Sequence, residues 1–278
     1  FGFSGWSLFG SAANMSAQQG LNILINIFHG VTANAAVGIA NQVSSHVYQF
    51  ISNFQIAFHP QIIKSYAAKE TDSFYRLVFQ SSKFSYYLMF LLSLPLMMTT
   101  QTLFEIWLTE VPQYAVIFCQ LLLVFFLIEC LATPLWMSVE ATGQIKKYQM
   151  LMACCILLNF PLVYIFYKLG YPVYAAWIIR IVVHVITFIV RLLYMKAKLL
   201  FPIRQYIQKV IIPVFMVSIL SIPFPLLLMI YLKDNILTFT IIIITCLLVV
   251  LSSIFGIGLE STERTLIKSM IINKIRKK

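Results

Sequence analysis

The first 63 residues contain no charged side chain, yet they are rich in Asn, Gln, Ser and His. This stretch is long enough for two membrane-spanning helices, each of which needs about 20 largely apolar residues. A polar side chain in hydrocarbon costs free energy unless it meets water, protein or a ligand, so these helices are predicted to line a polar cavity. A polar cavity inside a membrane indicates transport. The polar side chains are Asn14, Gln18, Asn22 and Asn26 in the first helix and Asn41, Gln42, Ser45, His46, Gln49 and Asn53 in the second.

The composition is that of an all-α integral membrane protein. Hydrophobic residues make up 60% of the chain, charged residues 10%, and the mean hydropathy is +0.88. An average soluble domain has about 25% charged residues. The net charge of +11 does not indicate nucleic-acid binding, because the basic residues lie between apolar segments. The five cysteines lie inside apolar stretches without metal-ligand spacing, so no metal and no cofactor are expected.

Eight membrane spans are predicted from the apolar segments. The segment Thr71–Lys83, which precedes the third span, is predicted to be either a short interfacial helix or an extension of that span. The chain begins with Phe rather than Met, so we expect it to be a piece of a longer protein. The predicted spans lie at 5–29, 33–58, 84–104, 113–138, 148–168, 173–194, 210–232 and 236–258.

The basic residues alternate between the connections of these spans. Seventeen of the 20 Lys and Arg follow an even-numbered span, and the odd-numbered connections hold only Lys168 and Lys233. Because cytoplasmic loops carry the excess of Lys and Arg, both ends of the chain are predicted to be cytoplasmic. The seventeen are Lys64, Lys69, Arg76, Lys83, Lys146, Lys147, Arg191, Lys196, Lys198, Arg204, Lys209, Arg264, Lys268, Lys274, Arg276, Lys277 and Lys278.

The polar side chains of the second span share one face. At 100° per residue, nine positions cover roughly 140° of arc. They are Asn34, Gly38, Asn41, Gln42, Ser45, His46, Gln49, Ser52 and Asn53. The opposite face is apolar and includes Val43, Val47 and Ile51. Two interpretations remain open: the amides join helices by hydrogen bonds, as Asn, Gln and Ser do in membranes, or they line a solvated cavity.

Two spans carry charge at membrane depth. Arg180 lies inside the sixth span and is predicted to attract an anion such as a phosphate or pyrophosphate. His184, on the same face, is either a proton-coupling group or a hydrogen-bonded imidazole. Glu129 in the fourth span is either a coupling group or the neutralising partner of Arg180. Arg191 is expected to extend to the cytoplasmic boundary.

Several segments resemble one family. They are GWSLFG at 5–10, QGLNILINIF at 19–28, NAAVGIANQV at 34–43, NFQ at 53–55, PQIIKSY at 60–66 and EATG at 140–143. The segments up to residue 66 resemble the seventh and eighth helices of the polysaccharide (O-antigen) flippases of the MOP superfamily, and EATG resembles a span ending that is common in these proteins. The resemblance is strong over residues 1–70, weaker to about residue 200, and confined to hydropathy beyond it.

This resemblance implies a MATE-like transporter with two six-helix lobes and alternating access. Residues 1–200 would be the second lobe, and residues 201–278 would add two transmembrane helices and a basic cytoplasmic tail. The implied activity is the flipping of undecaprenyl-pyrophosphate-linked oligosaccharide across the bacterial cytoplasmic (inner) membrane, for O-antigen and lipopolysaccharide assembly. The implied partners are the lipid-linked oligosaccharide, membrane lipids, an N-terminal lobe of the same protein, a polysaccharide polymerase and a chain-length regulator.

The sequence leaves three other functions open. A multidrug or cation antiporter of the same superfamily predicts a more acidic or aromatic cavity. A membrane enzyme of polysaccharide assembly predicts a large outer loop, but the predicted outer loops are all short. A purely structural membrane subunit would leave the polar faces unexplained. A non-enzymatic transporter is therefore the leading hypothesis.

Overall fold

The chain folds into a bundle of long apolar helices. The computed structural model describes residues 2–231, 236–260 and 263–265, and these residues contain helices, turns and short connections without a β-strand. The predicted all-α membrane fold is confirmed. Seven helices of the described residues are long and apolar enough to cross a membrane: α1 Gly2–Ala67, α2 Thr71–Trp107, α3 Ala115–Glu140, α4 Lys146–Lys168, α5 Ala175–Leu199, α6 Ile203–Tyr231 and α7 Leu237–Gly258.

Helix α1 contains two of the predicted spans. It has 66 residues, which at 1.5 Å per residue is about 100 Å, far more than a bilayer core of about 30 Å. Gly30, with φ 83° and ψ 177°, interrupts the helical backbone. Glycine suits this position because a residue with a Cβ rarely adopts such a φ. Division at Gly30 gives the eight predicted spans, and we call the two parts α1N (2–29) and α1C (31–67).

Helix α2 shows which of the two predictions is correct for the segment before the third span. Thr71–Lys83 is part of one helix that runs on to Trp107, so the segment extends the span. Helical geometry is lost locally at Thr99, four residues after Pro95, whose carbonyl accepts a 2.8 Å hydrogen bond from the Thr99 hydroxyl. A proline inside a helix commonly produces such an irregularity.

Helix α3 lies at the centre of the bundle. It packs against α1, α2 and α5, and its side chains Phe118, Leu123 and Leu135 are fully buried. The same core includes Ile51 of α1C and Met89 of α2. Helices α6 and α7 pack against α2, so they lie beside the helices that build the site described below.

Two glycines allow α1N to approach α4 closely. A Cβ at Gly20 would lie 2.9 Å from the Phe160 ring, and a Cβ at Gly10 would overlap the Gln149 amide. Small residues at such crossings let neighbouring membrane helices come into van der Waals contact. This contact fixes α1N against the wall of the bundle.

Lys83 lies in the interior, although the charge pattern placed it among the loop residues. Its side chain is 2% exposed, and its ammonium nitrogen lies 2.5 Å from the carboxylate of Glu263, which follows α7. Glu263 also accepts a hydrogen bond from the backbone N–H of Glu260. Burial makes this pair a link between α2 and the segment after α7. Lys233, Lys268, Lys274, Arg276, Lys277 and Lys278 lie outside the described residues.

Most of the other described basic residues that follow even-numbered spans lie close in sequence to the connections 68–70, 141–145 and 200–202: Lys64, Lys69, Arg76, Lys146, Lys147, Lys196, Lys198, Arg204 and Lys209. Because successive spans run in opposite directions, these connections lie at one end of the bundle. We call it the basic end. At this end α3 finishes at Glu140 and the chain turns at Gly143, whose φ of +70° favours glycine.

Candidate functional site

A polar cavity of about 310 Å³ lies among α1N, α1C, α3, α4 and α5. Asn14, Glu129, Arg180 and His184 lie in its wall, and it extends toward the basic end as far as Glu140. A larger cavity of about 830 Å³ at the basic end is lined by equal numbers of basic and acidic side chains, two of which form the Lys83–Glu263 pair. The smaller cavity is therefore the candidate site.

Arg180 is held in this cavity by neutral groups. Its Nη2 donates a 3.0 Å hydrogen bond to the Gln18 side-chain oxygen. The guanidinium carbon lies 4.4 Å from the centre of the Phe125 ring and 5.0 Å from the Trp177 ring, which are cation–π distances. Among the described residues, no carboxylate lies within 4.0 Å of Arg180, and its Nη1 has no hydrogen-bond partner. The positive charge is therefore available to an anion.

Glu129 lies next to His184 and not against Arg180. Its carboxylate is 2.9 Å from His184 Nε2, and the His184 ring packs on Phe125 at 4.6 Å. The Thr133 hydroxyl donates to the Glu129 backbone carbonyl at 3.0 Å and lies 3.2 Å from its carboxylate. Since this hydroxyl has one proton, the Tyr48 hydroxyl 3.2 Å away donates to it. The result is a chain of polar groups from α1C through α3 to α5.

This arrangement offers two kinds of chemistry. Arg180 provides a donor for a phosphate or carboxylate oxygen, in a wall whose other groups can hydrogen-bond to a neutral polar ligand. The Glu129–His184 pair joins a carboxylic acid to an imidazole, and both groups can bind and release a proton. A second pair of this type, His59 and Glu140 at 3.2 Å, lies toward the basic end.

Helix α1N contributes only some of its predicted residues to the cavity. Asn14 lies in the wall and donates to the Gly10 carbonyl at 3.0 Å. Gln18 reaches the site through Arg180. Asn22 donates to Gln19 at 3.4 Å, and Asn26 is exposed, both outside the cavity wall.

The predicted polar face of α1C lies elsewhere. Asn41 is half-buried and the other five side chains are exposed on an open surface of the bundle, outside the wall of the cavity. Within this surface, the Gln49 amide donates to Asn53 at 3.3 Å. The structure therefore separates the predicted residues into an enclosed group around Arg180 and an open surface. We call this surface, made of Asn41, Gln42, Ser45, His46, Gln49 and Asn53, the amide surface.

The expectation for Arg191 is wrong. Its side chain is 8% exposed, and its guanidinium donates to the backbone carbonyl of Ala132 instead of extending to water. It also lies in the wall of the cavity. A buried partner on α3 was not visible from the spacing of charges along α5.

The sequence reasoning missed several residues of the cavity. Tyr48 is next to the polar arc of α1C, but its aromatic ring suggested core packing. Gln149 and Asn159 on α4 are amides in or beside an apolar span, and that signal could have identified them. Thr133 gave no sign of lying in the cavity, because a threonine next to a proline is common in membrane helices. Among the described residues, no group of three or more His, Cys, Asp or Glu side chains could hold a metal ion.

Comparison with known proteins identifies the family. Residues 7–165, which include most of α1, all of α2 and α3, and most of α4, match the MatE family. No curated protein and no solved structure matches the chain. Members of the matched family are membrane transporters of the MOP superfamily. The chain belongs to the MatE family and is a multi-pass membrane transporter protein.

Proposed function

We propose that this chain is the second lobe of a flippase for lipid-linked oligosaccharides. The observation that carries the proposal is Arg180, a cation at membrane depth. Among the described residues no carboxylate lies within 4.0 Å of it, and its Nη1 has no hydrogen-bond partner. Arg180 lies five residues from the start of α5, about 7.5 Å along the helix axis. A buried cation of this kind favours an anionic substrate, and a pyrophosphate has several oxygens for a guanidinium.

The amide surface of α1C supports a sugar-bearing substrate. Its side chains are neutral, and each Asn or Gln has both donor and acceptor atoms. Sugar hydroxyls need many such groups of moderate strength. We propose that this surface faces an N-terminal lobe of the same protein across a central cavity, and that the two lobes alternate in access to the two sides of the membrane.

The orientation and location follow from the same proposal. The basic end would face the cytoplasm of a bacterial cell, in the cytoplasmic membrane, because Lys and Arg are in excess on that side. Residues 1–200 would form the lobe, and residues 201–278 would add two helices and a tail. A polysaccharide polymerase and a chain-length regulator would act on the transported units.

Glu129 and His184 are the proposed ion-coupling groups. They lie 2.9 Å apart within the wall of the cavity that contains Arg180. Arg191 and Glu140 line the same cavity. A proton taken up by this pair would change the charge close to Arg180, which links ion binding to release of an anion.

A multidrug or cation antiporter is the second candidate. Glu129 and Glu140 place two carboxylates in the cavity, and Phe125 and Trp136 supply aromatic surface. An organic cation would need a carboxylate free to receive it. Each carboxylate instead lies beside an imidazole, that of His184 or His59. Arg180, by contrast, has no carboxylate within 4.0 Å in the part of the chain that the structure describes. The charges therefore favour the flippase.

Complementation tests the proposal. The natural full-length protein is expressed in a bacterial strain that lacks its flippase for surface polysaccharide, and surface glycan is measured. We expect glycan to be restored by the wild-type protein and lost in Arg180→Gln at equal membrane abundance. Restored resistance to cationic drugs without restored glycan would favour the antiporter.

A further inference from the structure

Pro134 leaves a backbone carbonyl of α3 without its helical donor. Proline has no N–H, so the carbonyl of Cys130, four residues earlier, cannot form the usual helical hydrogen bond. In the structure the side-chain amide of Gln55 on α1C donates to this carbonyl at 3.0 Å. Gln55 is 0% exposed, and it lies outside the amide surface. Its donor atom is therefore used within the bundle and not for a ligand.

The next two carbonyls of α3 also receive side-chain donors. The Leu131 carbonyl accepts from the Tyr206 hydroxyl at 3.3 Å and from the Ser82 hydroxyl at 3.4 Å. The Ala132 carbonyl accepts from the guanidinium of Arg191. Three successive carbonyls of α3 are thus bound by side chains of α1C, α2, α5 and α6. We call residues 130–132 the carbonyl cluster.

The carbonyl cluster lies between two groups of the candidate site. Glu129 immediately precedes it, and Thr133, which donates to the Glu129 carbonyl, immediately follows. The position of Glu129 relative to His184 therefore depends on the backbone of this one turn. Gln55 and Arg191 donate hydrogen bonds to that turn from two different helices, α1C and α5.

We infer that Gln55 and Arg191 are positioning residues that fix the Pro134 turn of α3 and so hold Glu129 against His184. Neither residue needs to contact a substrate for this role. Loss of the Gln55 amide leaves the Cys130 carbonyl unpaired in a buried site, which is unfavourable. Loss of Arg191 removes the hydrogen bond that joins α5 to the turn. Either change therefore lets the turn rearrange. The importance of this turn for transport rests on the proposed function. Its effect on stability and on the position of Glu129 is measured without a transport assay.

The proline provides a specific test for Gln55. Pro134→Ala restores the N–H that binds the Cys130 carbonyl, so the Gln55 amide is no longer required. We expect Gln55→Leu to lower the unfolding temperature of the purified full-length protein. In a Pro134→Ala background, the same change should lower the unfolding temperature by less than half that amount. Gln208→Leu, at an exposed position, is the control. An equal or larger decrease in unfolding temperature in the Pro134→Ala background overturns the inference. A Gln55→Leu protein with the unfolding temperature of the wild type also overturns it. If Gln55→Leu does not fold alone, folding of the double variant supports the inference, and failure of both contradicts it.

The position of Glu129 needs its own measurement. A hydrophobic carbodiimide reacts with protonated carboxyl groups inside membranes, and mass spectrometry gives the rate at Glu129, with Glu129→Gln as the blank. In the wild-type protein, where Glu129 lies against His184, we expect this reaction to be slow. We expect the rate at pH 7 to rise at least threefold in Gln55→Leu and in Arg191→Met. It should stay within twofold of wild type in Arg191→Lys, which keeps a donor, and in Lys196→Met, an exposed basic residue of the same helix. Unchanged rates in Gln55→Leu and Arg191→Met refute the positioning role whether or not the protein transports oligosaccharide.

Discussion

The imidazole of His184 lies 2.9 Å from the carboxylate of Glu129 and joins α5 to α3 inside the membrane bundle. Both groups line a cavity that also contains Arg180, Arg191 and Glu140. If the pair exchanges a proton during transport, the two residues act as one unit. Glu129→Gln and His184→Gln should then each lower transport by a similar factor, and the double variant should be no slower than either single variant.

Arg180 should be needed for substrate and not for folding. We expect Arg180→Gln to reduce transport at least tenfold, which corresponds to about 1.4 kcal/mol or more, while membrane abundance stays the same. Arg180→Lys should retain part of the activity because a lysine keeps the charge without the planar donor fork. Arg204→Gln, an exposed change at the basic end, is the control. Equal transport by Arg180→Gln and wild type would remove Arg180 from the site.

The amide surface should be functional and nearly neutral for stability. Gln42, Ser45 and Gln49 are exposed, and surface substitutions usually change stability by less than about 0.5 kcal/mol. Their combined replacement by leucine should therefore leave the unfolding temperature unchanged and abolish transport. Phe50→Leu, at an exposed apolar position of the same helix, is the matched control. Normal transport in the triple variant would show that the surface does not contact substrate.

The Lys83–Glu263 pair should stabilise the attachment of the segment after α7. Removal of one member of a buried ion pair leaves an unpaired charge and typically costs about 3–5 kcal/mol. Lys83→Met should lower the unfolding temperature strongly, and Lys83→Met combined with Glu263→Met should recover much of the loss. Thermal unfolding of the purified protein measures both. No recovery in the double variant would mean that the ammonium group has another essential partner.

Gly20 should be required for the contact of α1N with α4. A Cβ at this position would lie 2.9 Å from the Phe160 ring. Added volume in packed contacts costs about 1–3 kcal/mol, so Gly20→Ala should lower the unfolding temperature. Gly38→Ala, where no atom lies within 4 Å of the added Cβ, should be neutral or stabilising. Equal stability of the two variants would contradict the close contact.

The helices could be predicted from the sequence because hydropathy and charge alternation act over whole spans. The interruption at Gly30 was anticipated as the gap between the first two spans. The continuity of α2 from Thr71 is not predictable, because helix periodicity alone does not distinguish an interfacial helix from an extended span. Interior polarity was also predictable for Asn14 and Gln18.

The partners of the buried charges were not predictable. Glu129 could have paired with Arg180 or with His184, because the relative rotation of α3 and α5 is set by packing. Arg191 and Lys83 were read as interfacial for the same reason: their partners, the Ala132 carbonyl and Glu263, lie far away in sequence. Gln55 lies on the apolar side of its helix, and its role depends on a proline in another span.

Transport by the purified full-length protein is the most direct test of the proposed function. Proteoliposomes are prepared with a fluorescent undecaprenyl-pyrophosphate oligosaccharide, and its access to an impermeant glycosidase outside is followed over time. We expect wild-type protein to expose the substrate of the inner leaflet and Arg180→Gln to match protein-free liposomes. Export of a cationic dye with no movement of the oligosaccharide would contradict the flippase assignment.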